Sequence, residues 1–162
     1  RHCEAVDRAA RAGVPTAVVS PADHPDRPAW DRALTDAVRG FAPDWVVSAG
    51  FMRILGAAFL DEYAGRVVNS HPALLPSFPG AHAVRDALDY GVAVTGCTVH
   101  LVDAGVDTGP VIDQRAVEVH PDDTEATLHE RIKVVEREML VDVLTAAASG
   151  RLHIEGRKVH RS

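Results

Sequence analysis

The stretch VVNSHPALLPSFPG at 67–80 places an amide, Asn69, and an imidazole, His71, two residues apart. Asn69 can donate a hydrogen bond to an oxygen that gains negative charge, and His71 can do the same and also move a proton. The pair therefore suits chemistry at a carbonyl-type carbon. A turn-capping asparagine beside a surface histidine would carry the same letters. Pro72, Pro76, Pro79 and Gly80 argue instead for a rigid polar mouth. A carboxylate for the imidazole stands in the run Asp103-Ala104-Gly105-Val106-Asp107-Thr-Gly-Pro110. An adjacent carboxylate favours the charged form of an imidazole. Asp107 is the better placed candidate, Asp103 lies nearer a strand end, and plain turn chemistry accounts for both by itself. Thr98 and His100 share one strand face and could support the pair. His100 reads equally as a satisfied core or edge histidine.

These groups need a strand to carry them. Val67-Val68 favours a strand, and Pro72 biases His71 toward an extended backbone. On a strand, Asn69 and His71 point the same way, and in an open α/β sheet the carboxyl ends of the strands open into the ligand crevice. The rest of the chain reads as alternating elements. A helix over 2–12 is stopped by Gly13, followed by a short strand at 14–19, a polar loop at 21–28 and a helix over 27–41. A strand at 45–50, buried on both faces, precedes a helix over 54–63, a strand at 66–70 and a helix over 82–90. Strands at 94–102 and 110–119 are joined by a connection too short for parallel pairing. A long helix starts near Asp122, with Asp122 and Glu125 at capping-box spacing, and Gly150 ends it. One or two strands close the chain at 152–159. The alternation predicts an α/β fold with a mixed, mostly parallel sheet and a late antiparallel hairpin. Met52, Arg53, Ile54 and Leu55, after Gly50, could wall a flat heterocycle or simply start a helix. Lys133 and Glu136, one turn apart, read by default as an exposed ion pair.

At 162 residues the chain is expected to form one domain, 1–162, with a real core. Its formal charge of −6 argues against nucleic acid as the main partner and leaves small anions open. No apolar run approaches the roughly 20 residues of a membrane span. Cys3 and Cys97 lie far apart in no CxxC pattern, so free thiols in a cytoplasmic protein are the simplest account and a single disulfide the alternative. The absence of HExxH, CxxC, GxSxG, Walker and GxGxxG patterns leaves no sequence signal for a metal, a nucleophile elbow or a standard nucleotide loop.

Four ordered segments carry a resemblance: AGFMRIL at 49–55, NSHPALLPSFPGAH at 69–82, TGCTVHLVDAGVDTGPVI at 95–112 and LHERIKVVERE at 128–138. Together they resemble the folate-dependent formyltransferases, most closely the branch acting on glycinamide ribonucleotide in purine synthesis. The resemblance implies a three-layer Rossmann-like fold and transfer of the formyl group of 10-formyltetrahydrofolate through a tetrahedral intermediate. It implies that Asn69 and His71 stabilise the oxyanion, with Asp107 assisting His71. It implies folate contacts from Arg27, residues 52–55 and residues 103–107. Ribonucleotide contacts would come from Met52, Pro72 and Glu136, with Lys133 near the phosphate. The Leu75–Pro76 bond matches a cis position of the family, and a homodimer is compatible with it. The family's first strand and Gly-Ser-rich phosphate loop are missing from these residues and are expected to precede Arg1. A formyltetrahydrofolate deformylase, a sugar-amine formyltransferase and a non-catalytic folate-binding module share parts of this pattern. A tRNA formyltransferase is disfavoured by the SFPGAH continuation.

Overall fold

The computed structural model describes residues 4–162; Cys3 and the start of the helix expected from residue 2 lie outside the described residues. The chain divides into two compact units, Arg1–Pro43 and Asp44–Ser162.

In the first unit, α1 (Glu4–Arg11) runs into Gly13, whose φ of +67° suits a residue without Cβ. Residues 14–19 form no strand, contrary to expectation. They enter no ladder, and Val14 and Val18 are 55% and 73% exposed. β-Branched side chains favour a strand only where a neighbour exists to pair with it. A 3-10 turn at Pro21–Asp23 follows. Asp26 then caps α2 (Arg27–Arg39), its carboxylate accepting from the Ala29 N–H at 2.7 Å. Trp30 is buried on α2, and its indole N–H donates to the Val19 carbonyl at 2.9 Å, tying the irregular segment to the helix.

The second unit contains β1 (Val46–Ser48), α3 (Ala57–Glu62), β2 (Val67–His71), α4 (Ala83–Tyr90), β3 (Val94–Leu101), β4 (Val111–Glu118), α5 (Glu125–Ala148), β5 (Leu152–Glu155) and β6 (Lys158–Arg161). The fold is α/β around a mixed sheet of order β1-β2-β3-β4, and β5 with β6 forms a separate hairpin. β1 and β2 are parallel, while β2–β3 and β3–β4 are antiparallel. Antiparallel pairing thus begins one strand earlier than the late hairpin. Side-chain alternation is the same in both directions; strand direction depends on where α4 delivers the chain. The strand expected at 45–50 shrinks to three residues. β1 stands at the end of the strand order with Val47 exposed, so it is not buried on both faces. Residues 51–56 stay irregular, and α3 starts only after Gly56.

α5 packs on β3 and β4. Its Leu128, Ile132, Met139 and Val143 meet Val68, Cys97, Val99 and Leu101 in one apolar cluster. Each such fully buried side chain contributes about 1.5–3 kcal/mol, so this layer dominates stability. The N-cap of α5 is Thr124, two residues beyond the expected Asp122. Thr124 Oγ1 accepts from the Thr127 N–H at 3.2 Å, and Thr127 Oγ1 accepts from the Thr124 N–H at 2.9 Å. The neighbouring Asp123 accepts from Arg131, from the His120 N–H and from Thr127 Oγ1, which together hold its carboxyl well below the usual range. Thr124→Ala is expected to lower unfolding free energy by about 1 kcal/mol, measured by urea denaturation.

Candidate active site

The β2–β3 register sets Asn69 opposite His100 and His71 opposite Thr98. Because strand side chains alternate, these four share the face opposite Val68, Val99 and Leu101, away from α5. His71 is only 4% exposed. Its Nε2 lies 2.8 Å from the Phe78 carbonyl, which can only accept, so Nε2 carries a hydrogen. Its Nδ1 lies 3.4 Å from Asp107 Oδ2, an ion-pair distance. The same Oδ2 accepts the Gly80 N–H at 2.8 Å. The structure therefore brings Asp107 to His71, whereas Asp103 serves its own loop. Asp103 Oδ1 accepts from the Gly105 N–H at 3.0 Å and from Thr108 Oγ1 at 2.6 Å.

Two non-glycine residues at this site adopt left-handed backbone, Phe78 at φ +53° and Asp107 at φ +55°. Such conformations persist only where surrounding contacts hold them. The loop bearing Asp107 is tightly built. A Cβ on Gly105 would fall 2.0 Å from Thr108 Oγ1, and one on Gly109 would fall 1.7 Å from the Leu101 carbonyl oxygen. Arg157, in the turn between β5 and β6, donates to the Thr108 carbonyl at 3.0 Å.

His100 is a buried histidine and also a site neighbour, which resolves its two readings. Its Nδ1 donates to the Leu101 carbonyl at 2.9 Å, leaving Nε2 to accept from Asn69 Nδ2 at 3.2 Å. Burial lowers its pKa from 6.5, against the opposing pull of the Leu101 carbonyl and Asp107. Neutral His100 thus orients the Asn69 amide and leaves its second N–H for a ligand oxygen. A lowered native pKa means that the unfolded chain takes up this proton first as pH falls. The stability contribution is full above the unfolded value of about 6.5 and is lost below it. Between about pH 7.5 and pH 5, the melting temperature of His100→Gln is expected to fall less steeply than that of the parent chain.

Thr98 is fully buried beneath this pair. Its hydroxyl donates to the Ala73 carbonyl at 2.7 Å and accepts from the Leu75 N–H at 3.0 Å. The Leu75–Pro76 bond is cis, as expected. Gln114 carries no signal in the sequence, yet its Nε2 donates to the Leu75 carbonyl at 2.8 Å and to Thr98 Oγ1 at 2.9 Å. No local pattern marks it, because its partners come from other strands and loops. The backbone groups of Phe78 and Gly80 were hidden for the same reason.

Residues 1–144 match the family described as formyl transferase. The chain belongs to that family. It is 58% identical over 165 residues to a phosphoribosylglycinamide formyltransferase of Mycobacterium tuberculosis (strain ATCC 25618 / H37Rv), covering 98% of this chain and 77% of that protein. It is 46% identical over 147 residues to the trifunctional purine biosynthetic protein adenosine-3 of Drosophila pseudoobscura pseudoobscura, covering 91% of this chain and 11% of that protein. The crystal structure of glycinamide ribonucleotide transformylase 1 from Symbiobacterium toebii matches with a TM-score of 0.93 and 45% identity, over 96% of this chain and 74% of that one.

The remaining candidates of this family member are placed as follows. Met52 and Ile54 are exposed on the irregular segment with Arg53, and Leu55 is half-buried. Ala104, Gly105 and Val106 form the exposed tip of the Asp107 loop, and Pro72 is half-buried directly after His71. Lys133 pairs with Glu130 at 2.7 Å, in place of the expected pairing with Glu136. Burial, and then the charge of Glu136, push the Cys97 thiol up to about 11. Among the described residues, neither Lys133 nor Glu136 joins the hydrogen bonds around His71. Arg27 belongs to the first unit, where it pairs with Asp31 at 2.7 Å and lies over the Trp30 ring. No helix among the described residues is long and apolar enough to cross a membrane.

Proposed function

We propose that this chain transfers the formyl group of 10-formyltetrahydrofolate to the primary amine of glycinamide ribonucleotide, as a phosphoribosylglycinamide formyltransferase of purine biosynthesis. The observation that carries the reading is the convergence of Asn69 and His71 on one sheet face, with Asp107 against the imidazole. Bound 10-formyltetrahydrofolate supplies the electrophilic carbon. The donor set fits its formyl oxygen: Asn69 retains an N–H, and the charged imidazole of His71, its Nε2 hydrogen held by the Phe78 carbonyl, offers a second N–H at Nδ1. These donors hold the charge that grows on that oxygen as the amine nitrogen bonds to the formyl carbon. His71 then gives a proton to the folate nitrogen as the carbon–nitrogen bond breaks. Asp107, facing Nδ1, balances the charged imidazole and relays through water the proton lost by the attacking amine.

Around this centre, Arg53 and Leu55 hold the pterin through backbone groups, Met52 and Ile54 wall it, and residues 103–107 close over it. Arg27 contacts the folate. Met52, Pro72 and Glu136 contact the ribonucleotide, and Lys133 lies near its phosphate.

The test is an assay of the purified protein with both substrates. Formylated ribonucleotide and tetrahydrofolate are expected in equal amounts, and neither when the amine is left out. Tetrahydrofolate released without the amine would assign water as acceptor, the deformylase reaction. Folate binding without turnover would assign a binding module.

A further inference from the structure

We infer that Gln114 is a positioning residue for formyl transfer: it fixes the 72–80 loop on which the alignment of His71 with Asp107 depends. The inference rests on the formyl-transfer reading above. That loop meets the reacting groups through its backbone alone. The Phe78 carbonyl takes the His71 Nε2 hydrogen, and the Gly80 N–H holds Asp107 Oδ2. The contribution of the loop is therefore its position, and Phe78 sits in a left-handed conformation that needs outside support.

That support comes from a cross-strand pair. Gln114 on β4 lies opposite Thr98 on β3. The Thr98 hydroxyl is saturated: it donates to the Ala73 carbonyl and accepts from both the Leu75 N–H and Gln114 Nε2. Gln114 Nε2 also donates to the Leu75 carbonyl, so Leu75 is held at its N–H and its C=O. The Ser77 N–H closes a turn on the Leu74 carbonyl, and Phe78 follows directly. A clamp at Leu75 thus sets where the Phe78 carbonyl and Gly80 N–H fall. Gln114 touches none of the reacting groups, and it is exposed on a strand at the end of the sheet order, where substitution leaves the core intact.

Two variants test this. Gln114→Met keeps the length and removes the donor; Gln114→Glu keeps the shape but cannot donate while ionised. Gln114→Met is expected to lower kcat about tenfold, with KM for both substrates within about twofold, as misalignment would. Gln114→Glu is expected to lose more at neutral pH and to recover relative to the parent as pH falls, because the protonated carboxyl donates again. Amide hydrogen exchange is expected to quicken at Leu75 and Gly80 in both variants and to stay unchanged at Val99 and Met139. Unchanged exchange at Leu75 and Gly80, a uniform rise at all four, or parental kcat in Gln114→Met overturns the inference. If the parent chain itself fails to transfer formyl, the functional reading falls, and the exchange pattern alone decides whether Gln114 fixes the loop.

Discussion

Replacing His71 by alanine is expected to reduce kcat for formyl transfer by about three to four orders of magnitude while folate binding changes little. In the proposed mechanism two losses combine at one side chain. The proton donor to the departing folate nitrogen disappears, a role typically worth about 10²–10⁴ in rate. One of the donors to the formyl oxygen disappears with it, and such donors are worth about 10²–10³. The two effects serve one transition state, so they do not multiply in full. His71→Asn separates them, because an amide can donate to oxygen but cannot transfer a proton. Its kcat is expected to fall between the parent and His71→Ala. Steady-state kinetics with both substrates, alongside direct folate titration, provide the measurement. An alanine variant within tenfold of the parent would remove His71 from the mechanism. The imidazole is nearly buried, so a thermal melt of each variant must accompany the kinetics.

Asp107→Asn is expected to lower kcat by about a hundredfold, with smaller changes in KM. The substitution is well controlled because asparagine tolerates the left-handed backbone found at 107, where φ is +55°. An amide oxygen can still accept the Gly80 N–H now held at 2.8 Å. What vanishes is the negative charge 3.4 Å from His71 Nδ1, which in the proposed mechanism balances the protonated imidazole and relays the amine proton. Asp107→Ala removes the Gly80 acceptor as well and is expected to lose more. A near-parental Asp107→Asn beside an impaired Asp107→Ala would mean that the carboxylate acts only as a loop anchor.

Much of the site was legible because its logic is local. Asn69 and His71 stand two apart on a strand, so their shared direction follows from a period of two and needs no knowledge of the fold. Asp107 was reachable by chemistry, since an imidazole in this role calls for a carboxylate and the 103–110 loop holds only two. The choice between them lay in the loop geometry: Asp103 turns back on Gly105 and Thr108, and Asp107 reaches Gly80. His100 shows the limit of periodicity. Alternation put it on the Thr98 face, but only the pairing of Asn69 with His100 shows that it orients the Asn69 amide.

The sequence by itself determined the alternation of helices and strands, the antiparallel hairpin of β3 and β4, the rigid turn after His71 and the chemical character of the pair at 69 and 71. These follow from side-chain period, proline and glycine, and intrinsic reactivity, all of which act over a few residues. Tertiary structure decided the antiparallel run of β2 against β3, the irregular path of residues 14–19 and 51–56, and the cap at Thr124. It also decided that Gln114, 39 residues beyond Leu75, would hold that residue's carbonyl. Each depends on which partner is available in space, and a hydrogen-bonding group left without one inside the fold costs more than any local preference contributes.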